Sequence, residues 1–150
     1  MDKDDVIDTL NDLIETPKDG EYGFRTSAER AQSPAIRTRL QTRATACAAA
    51  AAELQALVRQ YGGEPEDDGT ALGAMHRGWV AVKAAISTSA REDHAILAEC
   101  ERGEDSAVAA YRKALKQPLP ADVLAVVQRQ ADGAKANHDE VKALRDSVGV

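Results

Sequence analysis

Glu21, Glu101, Glu104 and His138 are the residues of this 150-residue chain whose types suit chemistry at one shared site. Carboxylates and a neutral imidazole together make a donor set for iron, manganese or zinc. Glu21, Glu104 and His138 also fall on helical stripes of otherwise apolar residues, where ionisable groups are unusual. Two uses compete for them. In the first, His138 bonds a glutamate, and Tyr22 or Tyr111 adds hydrogen bonds to a buried polar network that fixes helix register at some cost in stability. In the second, Glu21, Glu101 or Glu104, and His138 hold a single metal ion together with water. The network is the more ordinary use of such groups, and under it no cofactor is expected.

Other chemistry has thinner support. His76 and Trp79 stand one helical turn apart, and the single tryptophan is expected to pin its segment against the rest of the fold. His94 is expected to be solvated beside Asp93. Cys47 and Cys100 lie inside apolar helical patterns, which reads as two buried thiols. There is no Ser-His-Asp ordering, glycine-rich phosphate loop or paired-cysteine zinc spacing, so nucleophilic catalysis and nucleotide binding have no motif behind them.

Helices must position these groups. The chain holds 29 alanines but only 3% aromatic residues, a composition that favours closely approaching helices and excludes a β-sandwich or barrel. Apolar residues recur at three- and four-residue steps in four long stretches. The first covers about residues 3–32, with a kink or break expected near residues 17–20 because Pro17 interrupts it. Ser33-Pro34 is a cap and first-turn pair that opens the second, at about 34–61, and Gly62-Gly63 closes it. A shorter helix is expected at about 71–87. Ser89 with Glu92 forms a capping box for a helix at about 90–117, and Pro120 opens the last, at about 120–147.

The segment order implies a topology. Tight turns at Ser33 and Pro118 make two antiparallel hairpins. The link between them is about 27 residues, long enough to return along a helix of about 42 Å. A single 1–150 domain follows, an all-α four-helix bundle with one long crossover, which is the ferritin-like topology. An up-down-up-down bundle with a helical insertion is the alternative.

Three separated segments carry a family likeness: Leu10-Asn11-Asp12-Leu13-Ile14-Glu15 with Lys18-Asp19-Gly20-Glu21-Tyr22-Gly23-Phe24-Arg25, then His76-Arg77-Gly78-Trp79, then Ala98-Glu99-Cys100-Glu101-Arg102-Gly103-Glu104-Asp105. In this order they resemble a bacterial ferritin-like family of short proteins classed as a domain of unknown function. The resemblance implies the ferritin-like fold and supplies no mechanism.

That topology allows a test of the metal reading. Ferritin-like di-iron centres take a Glu from each of two helices and a Glu-x-x-His from each of the others. Aligned by the hairpin turns, residue 21 lies level with about residue 45 of the second helix, 102 of the third and 135–136 of the fourth. The second helix offers only Ala44-Thr45-Ala46-Cys47 there, and His138 is preceded three positions earlier by Lys135 rather than Glu. About three of the six or so ligands are present, so a complete di-iron centre is not expected.

Bulk properties limit the partners. Acids outnumber bases, 25 to 19, which argues against nucleic-acid binding. The longest low-charge run, residues 44–52, is too short to span a bilayer, and the acidic start has no apolar run behind it, so a cytoplasmic protein is expected. Residues 1–21 carry eight acids against two lysines, and residues 25–43 five arginines against Glu29. Solvated faces explain this ordinarily; self-association or an anionic partner is the sharper reading. The sequence thus points to a noncatalytic bundle, a structural or protein-interaction module, with a metal-binding or redox protein as the alternative.

Overall fold

The computed structural model describes residues 1–66 and 89–148. Its elements are four long helices, α1 Lys3–Arg30, α2 Pro34–Gln60, α3 Ser89–Leu115 and α4 Ala121–Ser147. The expected helix at 71–87, with His76 and Trp79, lies outside the described residues, as does the side chain of Ser89.

Each helix end has a local cause. Asp2 Oδ1 accepts the Asp5 N–H at 2.8 Å, while Asp4 and Asp5 meet the positive end of α1. α1 then runs unbroken through Pro17. Proline removes the N–H that would bond the Leu13 carbonyl, but buried Leu13, Ile14, Gly20 and Phe24 hold the turns on either side, so no break occurs. The helix stops at Arg30, short of the expected 32, and Ser33 Oγ accepts the Ile36 N–H to start α2. At the far end Gly62 takes φ +87°, with Gly62 N–H bonded to Arg59 O at 3.0 Å and Gly63 N–H to Val58 O at 2.9 Å. This double closure is the Schellman motif, which favours glycine at the left-handed position.

Cross-links between helices establish the topology. Buried Asp93, near the start of α3, accepts the backbone N–H groups of Gln32 and Ser33 at 2.7 and 3.0 Å. The start of α3 therefore sits at the α1–α2 turn. At the opposite end Tyr61 Oη donates to Asp122 at 2.8 Å, joining the end of α2 to the start of α4. The end of α2 and the start of α3 therefore lie at opposite ends of the bundle, as the ferritin-like topology requires and the up-down-up-down alternative does not. α2 and α4 run antiparallel, linked in order by Arg39–Glu140, Glu53–Arg129 and Tyr61–Asp122.

The core divides into two apolar clusters, each drawing on all four helices. One contains Phe24, Ile36, Leu40, Ile96, Leu97 and Val141; the other contains Leu10, Ile14, Leu54, Val58, Val123 and Val127. Close approach is real within the first hairpin, where a Cβ on Gly20 would lie 2.8 Å from Cys47 Sγ. It does not extend across the gap between α2 and α4. There Ala46, Ala49, Ala50 and Gly133 help to wall an open cleft of about 960 Å³ at mid-bundle. Small side chains bring helices together only where the facing residue is also apolar and short. Across this gap the spacing is instead held by long polar side chains.

Charge segregation in the first hairpin is softened by the rest of the bundle. Arg25 pairs with Glu21, Arg39 with Glu140 and Arg43 with Glu104, and Arg37 donates to the Ala31 carbonyl. Arg112 and Lys113, in the last turn of α3, share the end that carries the acidic start of α1.

Candidate functional site at the bundle centre

The centre is built around a buried ion pair that crosses the bundle from α2 to α3. Both Nε and Nη2 of Arg43 lie 3.5 Å from Glu104 Oε1. The guanidinium also sits 5.9 Å from the centre of the Phe24 ring, within cation–π range. Glu104 is only 1% exposed, and its second oxygen, Oε2, has no hydrogen-bond partner. Burial pushes its carboxyl up, against Arg43 and Asn137, which favour the ionised form. Asn137 on α4 lies beside the pair, yet its Nδ2 also lacks a partner of good geometry.

One helical turn or two along, a second polar chain joins three helices. Tyr111 Oη donates to Gln130 Oε1 at 2.9 Å, and Gln130 Nε2 donates to the Ala50 carbonyl at 3.2 Å and to Glu53 at 2.8 Å. Arg129 pairs with the same Glu53. Burial raises the Tyr111 hydroxyl pKa, so it stays a neutral donor at physiological pH. Tyr111 thus belongs to a buried polar network, but one built on Gln130 and Glu53 rather than on a bond between His138 and a glutamate.

The residues singled out for a metal are dispersed among other partners. Glu21 is half-buried and bonds Arg25 one turn on, at 3.0 Å. Glu101 is held by Arg145, and Glu104 by Arg43. His138 Nε2 lies 2.6 Å from Asp105 and 3.9 Å from Glu101, and its Nδ1 lies 3.2 Å from Asp139. His138 and Lys135 lower the Asp139 carboxyl below its usual range. Tyr22 is 37% exposed and outside the network, a correction to the expected phase of α1. Gly20, two positions earlier, is the residue that faces α2, and a two-residue offset turns a side chain by about 200°, to the far side of the helix.

Among the described residues, no three His, Cys, Asp or Glu side chains gather to hold a metal ion. The donor chemistry agrees: each nominated carboxylate already faces a guanidinium, and the second helix presents alanine at the height of the missing ligands. A di-iron centre of the ferritin-like kind does not fit these residues.

Cys47 and Cys100 are buried free thiols, each pushed up to about 12, chiefly by burial. Asp93, rather than its neighbour His94, is the member of that pair that ties the fold together, since it closes the α1–α2 turn from α3; His94 is half-buried. No sequence signal separated Asp93 from the other helix-start acids. Arg43 belonged to an arginine-rich stretch whose bland reading was a solvated face.

Comparisons with known proteins agree with this architecture. The chain belongs to the family described as a domain of unknown function, DUF2383, whose model matches residues 5–117. Among curated proteins nothing matches the chain. Among solved structures it is similar to a mutant of Mycobacterium smegmatis Dps1, with a TM-score of 0.75 and 16% identity over 95% of this chain and 96% of that one. At that identity the likeness shows the ferritin-like fold alone. Among the described residues no helix is long and apolar enough to cross a membrane.

Proposed function

We propose that this protein is a noncatalytic ferritin-like bundle that acts as a structural or protein-interaction module, by self-association or by binding another protein. The observation that carries the reading is the Arg43–Glu104 pair, which places a guanidinium against the one deeply buried carboxylate of the nominated ligand set. A cation already supplied by the chain leaves that carboxylate no need of a metal. The alternative, a single iron, manganese or zinc ion held by Glu21, Glu101 or Glu104 and His138, would require breaking pairs with Arg25, Arg145 or Arg43. The two buried thiols suit a reducing bacterial cytoplasm, where we place the protein.

Two measurements test the reading together. Sedimentation velocity over a wide concentration range is expected to give association at low salt that weakens as salt rises. Fe(II) oxidation in the presence of the protein is expected to match the buffer rate. A strictly monomeric chain at every concentration and salt, or iron oxidation that disappears in His138→Ala, overturns it.

A further inference from the structure

We propose that the mid-bundle cleft binds a neutral, largely apolar small molecule that carries a hydroxyl group, with the body against the alanine walls and the hydroxyl received by Glu104. The cleft's volume of about 960 Å³ lies in the range of small-molecule sites, and residues from all four helices line it. Between its polar residues the walls are methyl groups and bare backbone, with Ala46, Ala49 and Ala50 from α2, Ala107 and Ala110 from α3, and Gly133 from α4. Such walls are apolar but give up most of the space between the helices.

A second, independent feature points to an occupant. Glu104 lines the cleft at 1% exposure, and Oε2 is left without a hydrogen bond while Oε1 takes both contacts from Arg43. A buried carboxylate oxygen without a donor is a deficit that a ligand O–H can fill.

The charges set the ligand's own charge. Arg43 pairs with Glu104, Arg129 with Glu53, and Arg102 with Glu99, so each cation on the cleft already has its anion. Asp19, the remaining acid on the lining, has an interaction of its own. A neutral ligand leaves these pairs intact, whereas a charged one would find no unpaired counter-charge among them.

The test uses the full chain and three probes of similar size: 2-naphthol, naphthalene and the anion 2-naphthoate, followed by fluorescence or calorimetry. 2-Naphthol is expected to bind one per chain, at least tenfold more tightly than either of the others. Gly133→Leu is expected to weaken 2-naphthol at least tenfold with Tm unchanged or raised, because a Cβ at Gly133 meets nothing within 4 Å and leucine is the better helix former. In the double variant Arg43→Met with Glu104→Met, the preference for the hydroxyl is expected to vanish while naphthalene binding persists. Failure of 2-naphthol to bind, binding untouched by Gly133→Leu, or equal binding of 2-naphthoate each overturns the proposal.

Discussion

Removing Arg43 while leaving Glu104 in place is the sharpest perturbation of the bundle centre. Arg43→Met strands a carboxylate that is 1% exposed, and breaking a buried pair in this way costs about 3–5 kcal/mol. Here the lower end applies. The contacts are long, at 3.5 Å, and the Arg43 side chain is 19% exposed, so part of the interaction is screened. A loss of about 3 kcal/mol lowers Tm by about 6–12 °C for a chain of this size. The double change Arg43→Met with Glu104→Leu removes both desolvated charges and is expected to lie within about 1 kcal/mol of the parent, or above it. The singles and the double, measured by urea unfolding, therefore show a coupling of about 2 kcal/mol or more. The pH dependence carries the same signature. Burial holds the Glu104 carboxyl above its ordinary 4.5, so the folded state keeps a proton that the unfolded chain releases. Relative to Glu104→Gln, the parent therefore loses stability as pH rises above about 4.5, until the folded carboxyl has ionised, and is level with it below. In Arg43→Met the decline continues to higher pH. Additive single effects, or an Arg43→Met cost under about 0.5 kcal/mol, would refute the reasoning.

Three further outcomes follow from other parts of the bundle. Asp93→Ala removes two charge-assisted bonds to the Gln32 and Ser33 amides and is expected to cost about 2–3 kcal/mol, with faster hydrogen exchange at both amides. Gly20→Ala sets a methyl 2.8 Å from Cys47 Sγ, and the overpacking of about 1–3 kcal/mol outweighs a helix-propensity gain of about 1 kcal/mol; adding Cys47→Ala should return most of the loss in a melting curve. Cys47 and Cys100, held as buried thiols near 12, are expected to resist a disulfide exchange reagent at pH 8 until urea unfolds the chain, and rapid native reaction of either would contradict their burial.

How much could be read in advance depends on which physical signal each feature uses. Helices announce themselves through many residues at once, so the four stripes and the caps at Ser33 and Gly62 were legible. The crossover was legible because chain length limits where a segment can return. Height along the bundle was legible too: residues 43, 104 and 137 do meet near the centre. Azimuth was not, since a single position of phase separates Gly20 from Glu21 and Asn137 from His138. Nor were partners. Arg43, Gln130 and Asp93 act through residues about 60 to 80 positions away, and no local pattern encodes such pairings. The alanine run supplies no ligands at that height, and in the structure it also walls a cleft.

The central claim is that this ferritin-like bundle uses its buried carboxylate for a guanidinium rather than a metal, and metal content tests it most directly. The untagged protein, purified without chelator and measured for iron, manganese and zinc, is expected to hold far less than one equivalent, with no change in His138→Ala or Glu104→Gln. One equivalent per chain in the parent, lost in either variant, would contradict it.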